Sequence, residues 1–172
     1  RKTVAEMIDE TGFPAGVFNS EIIQDVHPAY ASSASYQRYI FVASQSYWRY
    51  PDNADSHNYI GNVFNELGEL DEALKSYKRA IAINPDYADA YNNLGMVYSE
   101  MKENDKAIKA YEKSLSLNPT FPMTLNNIGF LHMNMGNYKK AEIFLKKSLS
   151  LFKSFHLASM NLGELYLKQK RY

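Results

Sequence analysis

A glycine recurs at one fixed interval along the second part of this chain, and other columns of residues keep the same register. Each of the four glycines directly follows an apolar residue, and each of the first three has a small residue 12 positions later and a bulky residue 16 positions later. A fixed period of this length is typical of proteins that stack copies of one structural unit. The glycines, 34 residues apart, are Gly61, Gly95, Gly129 and Gly163; the small residues are Ala73, Ala107 and Ala141, and the bulky ones Tyr77, Tyr111 and Leu145.

Each unit is predicted to contain two helices. Its apolar residues recur at steps of three and four, which places them on one stripe of a helix. In the first unit the spacing predicts helices over roughly 56–67 and 71–83, with a turn near Gly68. Glycine inside a helix costs about 1 kcal/mol relative to alanine, so its regular return requires a packing reason. Gly61 is expected to face the small residues Ala73 and Ala80, so that the two helices lie close together.

The second unit carries the residues of a known repeat, and its pattern closely resembles the tetratricopeptide repeat. This resemblance covers residues 54–172 and implies an all-α fold, a right-handed α-solenoid of antiparallel helix pairs. It implies repeats at 54–87, 88–121 and 122–155, followed by the first helix of a fourth repeat at 156–172. The third repeat departs from the pattern because Lys153 replaces its closing proline. The matching residues of the second unit are Tyr91, Leu94, Gly95, Tyr98, Ala107, Tyr111, Ser114 and Pro119.

Residues 1–53 follow the repeat pattern poorly. Pro51 lies 34 residues before Pro85, which favours a degenerate repeat at 20–53, although Pro28 would break its first helix. The segment 35–50 is rich in tyrosine and reads as a helix too aromatic to lie fully in water. It is expected either to cap the solenoid or to contact a partner, because an end repeat must cover the open face of its neighbour.

Composition excludes several classes of protein. The hydrophobic fraction of 45 % supports a continuous core, and no apolar run approaches the roughly 18 residues of a membrane helix. The absence of cysteine rules out disulfides and weakly favours the cytoplasm, although the compartment stays open. Residues 1–86 hold 7 basic and 12 acidic side chains, and residues 87–172 hold 12 and 7. The opposite net charges of the two halves could favour head-to-tail association of copies, although solvated helix faces also produce such a difference.

No motif in the sequence predicts catalysis, a cofactor or a metal. The four histidines, His27, His57, His132 and His156, do not have the spacing of a metal site or a catalytic triad. The repeat glycines lie inside predicted helices, not in a phosphate-binding loop. Paired lysines such as Lys139 and Lys140 lack an aromatic platform for nucleic acid. The protein is therefore expected to be neither an enzyme nor a nucleic-acid-binding protein.

Two adjacent columns of asparagine indicate where a partner would bind. The first helix of each unit should line the concave surface, and a row of amides there can pair with the backbone of an extended peptide. The columns resemble the asparagine ladder of peptide O-linked N-acetylglucosamine transferases. The alternative is that the amides bond neighbouring units to one another. With nearby apolar residues, the predicted partner-binding set is Asn58, Tyr59, Asn62, Asn92, Asn93, Met96, Asn126, Asn127, Phe130 and Asn161.

The sequence therefore predicts a protein–protein interaction module that holds an extended peptide or partner protein in its concave groove. Some proteins with the repeat that this sequence resembles bind the acidic C-terminus of a chaperone through a cluster of basic side chains. That kind of binding is not expected here, because Asn58, Met123 and Asn127 occupy the three places where those basic side chains would lie. Two alternatives remain. The chain could be the recognition domain of a larger enzyme, for example a glycosyltransferase. It could also self-associate, through residues 36–50 or through the end of the stack near Tyr166.

Overall fold

The computed structural model describes residues 53–169, which contain seven α-helices and no strand. The degenerate repeat or cap expected within residues 1–53, with its aromatic segment, lies outside the described residues except for Asn53. The helices are α1 (Ala54–Glu66), α2 (Leu70–Ile83), α3 (Ala88–Glu100), α4 (Asn104–Leu117), α5 (Pro122–Asn134), α6 (Tyr138–Leu151) and α7 (His156–Lys168).

Short turns join the two helices of each pair. The turn after α1 passes through Gly68 at φ +77°, and the turn after α5 passes through Gly136 at φ +76°. Such left-handed backbone suits glycine, which has no Cβ to clash with the following carbonyl. The turn after α3 has the same conformation at Lys102, with φ +63°. Because each connection is so short, the two helices of a pair run antiparallel and pack along their length.

The pairs stack into one solenoid, as the sequence predicts. The second helix of each pair packs on the first helix of the next, so α2 contacts α3, α4 contacts α5, and α6 contacts α7. The first helices also contact one another directly, α1 with α3, α3 with α5, and α5 with α7. Because the first helices of neighbouring pairs lie close enough to contact one another, the stack curves toward them, and the side that they share is concave. The all-α solenoid of helix pairs is therefore confirmed.

The repeated glycine is a notch that receives a side chain from the second helix of its own pair. A Cβ added to Gly95 would lie 2.6 Å from two ring atoms of Tyr111, and a Cβ on Gly61 would lie 2.5 Å from the ring of Tyr77. Gly129 receives Leu145 in the same way. The side chain nearest to each of these glycines thus comes from the bulky column, and at Gly129 the backbone oxygen of the small residue Ala141 also lies 3.2 Å from the added Cβ. Ala73 and Ala80 are nevertheless fully buried within the same helix pair.

His132 occupies the place of a core aromatic in the third unit. It is buried, and its ring stacks on Phe144 with 5.8 Å between the ring centroids. Burial lowers the pKa of His132, and the nearby charge of Lys140 acts in the same direction. The imidazole therefore belongs in the core as a neutral ring.

The notch at Gly163 differs from the other three. No described atom outside the local helix backbone lies within 4 Å of the position where its Cβ would be. In the described part of the chain, α7 thus presents a repeat notch that nothing fills.

This contrast allows a matched pair of substitutions. We expect Gly95→Ala to lower the free energy of unfolding by about 1–3 kcal/mol, because the rigid Tyr111 ring in the core cannot move away from the added methyl group. We expect Gly163→Ala to raise it by about 0.5–1 kcal/mol through helix propensity alone. Urea denaturation followed by circular dichroism would measure both changes. Effects of equal size and sign in the two variants would contradict this account of the notch.

Candidate functional site

The predicted partner-binding residues all lie on the first helices of their units, but they differ in exposure. Four of the asparagines are buried, with Asn126 only 1 % exposed. Tyr59 and Phe130 are exposed, at 38 % and 39 %. The remaining members of the set, Asn62, Asn93, Asn127 and Met96, are half-buried. The buried amides are Asn58, Asn92, Asn126 and Asn161.

The two asparagine columns bond to each other across the units. In every case the donor is the side-chain N–H of the second column, and the acceptor is the side-chain oxygen of the first column in the preceding unit. The three bonds run from Asn93 Nδ2 to Asn58 Oδ1 (3.1 Å), from Asn127 Nδ2 to Asn92 Oδ1 (3.0 Å) and from Asn161 Nδ2 to Asn126 Oδ1 (2.8 Å).

Bonds within two of the units link these pairs into one chain of amides. Asn92 Nδ2 donates to Asn93 Oδ1 at 3.2 Å, and Asn126 Nδ2 donates to Asn127 Oδ1 at 3.3 Å. The chain, which we call the amide ladder, thus runs without a break from α7 to α1. It satisfies amides that burial would otherwise leave without water, and each bond contributes about 0.5–1.5 kcal/mol net. Bonding between neighbouring units, one of the two alternatives that the sequence left open, is therefore present.

The ladder ends at Asn62 in the first unit. Asn62 Oδ1 accepts from Asn93 Nδ2 at 3.0 Å and from the hydroxyl of Tyr77 at 2.8 Å. Because a carbonyl oxygen has two lone pairs, this acceptor is saturated. The oxygen of Asn62 is therefore used within the solenoid, whereas its side-chain N–H groups donate no bond within residues 53–169.

The C-terminal half of the ladder borders an open cleft of about 230 Å³ on the concave face. The cleft lies across α3, α5 and α7, with one residue from α4 in its wall. Five of the predicted site residues come together there, whereas the other five lie further toward α1. The lining residues are Met96, Ser99, Glu100, Tyr111, Asn126, Asn127, Phe130, Leu157 and Asn161.

Asn127 is the half-buried amide in this lining, and it keeps hydrogen-bonding capacity. Within the ladder it donates one N–H, to Asn92, and accepts one bond, from Asn126. A side-chain amide has two N–H groups and two lone pairs, so one of each remains. Asn127 can therefore contribute to the ladder and still bond to a peptide group in the cleft.

Tyr111 is a lining residue that the sequence interpretation did not nominate as a site residue. Its ring fills the notch of Gly95, and its hydroxyl forms no hydrogen bond within residues 53–169. In the first unit the corresponding hydroxyl, on Tyr77, bonds to Asn62. The residue one period after Asn62 is Met96, which cannot replace the amide as an acceptor of comparable strength. That change was visible in the sequence and is the signal that could have identified Tyr111.

Glu100 brings a carboxylate to the same cleft. Glu100 is exposed, yet the surrounding residues desolvate its carboxyl group enough to raise the pKa above the ordinary value, although the charge of Lys102 opposes this shift. The pKa of Tyr111 is raised as well, first by burial and then by the negative charge of Glu100. The cleft is therefore neutral to acidic, since its lining contains no lysine or arginine.

Residues 53–169 contain no group of three histidine, aspartate or glutamate side chains able to hold a metal ion. In that range no helix is both long and apolar enough to span a bilayer.

The ladder generates a stability prediction. Asn92→Ala should lower the free energy of unfolding by about 1–3 kcal/mol, because it leaves the Nδ2 of Asn127 without its acceptor and Asn93 Oδ1 without its donor. Asn134→Ala, at an exposed asparagine at the end of α5, is the matched control and should change stability by less than about 0.5 kcal/mol. Chemical denaturation of both variants checks this expectation. Equal stability of the two would show that the ladder contributes nothing.

Comparison with solved structures shows the same fold in several proteins. The crystal structure of MamA is 29 % identical over 87 % of this chain and 86 % of that one, with a TM-score of 0.61. The APC/C hetero-tetramer Cut9–Hcn1 gives a TM-score of 0.73 at 18 % identity, over 96 % of this chain and 31 % of that one. The Arabidopsis OM64 TPR domain gives 0.63 at 18 % identity, over 67 % and 95 %.

Three protein families match the repeated part of this chain. The TPR repeat family matches residues 61–102, and two tetratricopeptide repeat families match residues 88–121 and 110–143. No curated protein is significantly similar in sequence. The matched residues include the notches at Gly61, Gly95 and Gly129 and four of the six residues that pair between units. Residues 61–143 of the chain therefore belong to the tetratricopeptide repeat family.

Proposed function

We propose that this protein is an interaction scaffold that holds an extended segment of a partner protein in the cleft across α3, α5 and α7. Membership of the tetratricopeptide repeat family supports a role in protein–protein interaction. The observation that carries the finer proposal is the composition of the cleft, where exposed apolar side chains lie beside an amide with unused hydrogen-bonding capacity. An extended peptide needs both kinds of contact.

The apolar contacts come from three helices of the concave face. Phe130 is 39 % exposed and Leu157 is 43 % exposed, so both would lose contact with water when a partner binds. Met96, half-buried in the same lining, has a flexible side chain that can adapt to the shape of a bound residue. Together they form a site for one or two apolar side chains of the partner.

The backbone contacts would come from the exposed edge of the amide ladder. Asn127 retains one N–H and one lone pair, which match the carbonyl and the N–H of a peptide group. Its side chain is held in place by its two ladder bonds. A partner would therefore meet an amide that is already oriented, which lowers the entropic cost of binding.

Peptide selection tests the proposal. Short peptides of random sequence, displayed on phage, would be selected on the intact chain, and a fluorescent copy of the best binder would be titrated by anisotropy. Phe130→Ala should weaken its binding by about 1–3 kcal/mol, since the variant removes the central apolar contact. Phe152→Ala is the matched control, because Phe152 is 52 % exposed but lies outside the cleft at the end of α6. That control should leave the affinity unchanged.

Two results would overturn the proposal. One is a selected peptide whose affinity is the same for the wild type and for Phe130→Ala. The other is an equal loss of affinity in Phe130→Ala and Phe152→Ala. Urea denaturation of each variant would separate loss of binding from loss of folding.

We also propose a second candidate function, self-association, because α7 carries exposed apolar side chains. Gly163 is unfilled within the described residues, and its neighbours Met160 and Leu167 are 70 % and 64 % exposed. A helix from a second copy that inserted a bulky side chain there would repeat the packing of the other three notches. The opposite charge balance of the two halves of the sequence favours such a head-to-tail contact.

Light scattering over a range of protein concentrations tests this second candidate. We expect the average mass to rise with concentration, and Gly163→Leu to abolish the rise because its side chain fills the notch. Ile143→Leu, at an exposed position of α6, is the control and should leave the concentration dependence of the average mass unchanged. A strictly monomeric wild type at all concentrations would remove the candidate.

A further inference from the structure

We propose that the segment held in the cleft carries a lysine or arginine close in sequence to its apolar anchor, and that Glu100 receives this cation. The inference rests on the proposed function of the cleft and specifies the chemistry of its occupant. The partner is thus a basic, partly apolar linear segment, not an acidic one.

The first argument is that Glu100 has no cationic partner of its own. Glu100 forms no ion pair within residues 53–169, whereas other glutamates on these helices do so with a lysine three or four residues away. The paired glutamates are Glu72 with Lys75, Glu103 with Lys106, Glu142 with Lys146 and Glu164 with Lys168. Glu66, Glu69 and Glu112 are also unpaired in that range, but of these glutamates only Glu100 lines the cleft, so its carboxylate is the one available there for an external cation.

The second argument is the position of Glu100 on its helix. Glu100 is the last residue of α3, and the C-terminal end of a helix carries partial negative charge. An anion at this end is disfavoured, and desolvation by the surrounding residues adds to the cost by raising the pKa of its carboxyl group. A bound cation would relieve both effects, because it would neutralise the carboxylate and interact favourably with the helix end.

The third argument is that other acceptors accompany the carboxylate. Ser99 and Tyr111, which both carry a hydroxyl group, line the same cleft, and the Tyr111 hydroxyl forms no hydrogen bond within residues 53–169. Tyr111 and Glu100 line the same cleft, and the pKa of Tyr111 is raised first by burial and then by the negative charge of Glu100. An ammonium or guanidinium group has only donors, so it suits a carboxylate flanked by hydroxyl oxygens.

The apolar part of the occupant follows from the remaining lining. Phe130 and Leu157, on α5 and α7, face the same cleft as Glu100 on α3. A single extended segment that crosses the first helices would therefore meet the carboxylate and the apolar side chains in turn. No lysine or arginine in the lining competes for Glu100 or repels a basic peptide.

The experiment uses a charge reversal on the intact chain. Random peptides displayed on phage would be selected in parallel on the wild type and on Glu100→Lys. We expect lysine or arginine at a fixed offset from the apolar anchor in the wild-type pool, and aspartate or glutamate at that offset in the Glu100→Lys pool. Phe130→Ala should abolish enrichment in both backgrounds, which shows that the selected peptides occupy the cleft.

Titration of one wild-type-selected basic peptide gives the quantitative check. Glu100→Gln should weaken its binding about three- to tenfold at low salt, and the difference should shrink as salt is added, because screening weakens a partly exposed ion pair. Glu112→Gln is the matched control, since Glu112 is an exposed glutamate on α4 outside the cleft. It should bind as the wild type does.

The possible failures are distinguishable. If binding requires Phe130 but the peptides show no preference for a basic residue, or if Glu100→Gln binds as tightly as the wild type, the inference about Glu100 is wrong and the function of the cleft stands. If binding does not depend on Phe130, the function proposed for the cleft fails first.

Discussion

The insertion of a bulky side chain into a glycine notch is the contact on which the rest of this structure depends. Tyr77, Tyr111 and Leu145 occupy the space that a Cβ of Gly61, Gly95 and Gly129 would need. The two helices of each pair can therefore approach closely, and every pair acquires nearly the same geometry. Because the pairs are alike, they stack with a constant offset, and side chains one period apart fall into rows.

The amide ladder is a consequence of that constant offset. The three bonds between its two asparagine columns each join residues 35 positions apart, one period plus one residue, because each donor lies one place further along its helix than its acceptor. The ladder uses most of the amide groups for holding the units together. In this protein, asparagines on the concave face stabilise the solenoid first and are available to a partner only at the edge of the ladder.

The cleft lies where the units stop being alike. Asn62 of the first unit is replaced by Met96 in the second and by Phe130 in the third. These changes remove the partner of the tyrosine hydroxyl and supply apolar surface instead. Glu100 adds a carboxylate that is not paired within the described residues. The regular part of the repeat thus builds the scaffold, and its irregular positions give the concave face its chemical character.

The sequence by itself determined the period, the two helices of each unit and the family, because these follow from local spacing and from the residue types in each column. It also placed the predicted partner-binding residues on the first helices. Which groups meet was decided by the tertiary structure alone. The sequence could not show that the two amide columns bond to each other, or that Glu100, Tyr111 and Leu157 share a cleft with Phe130. Those contacts join residues from different units, and their distances depend on how the units pack.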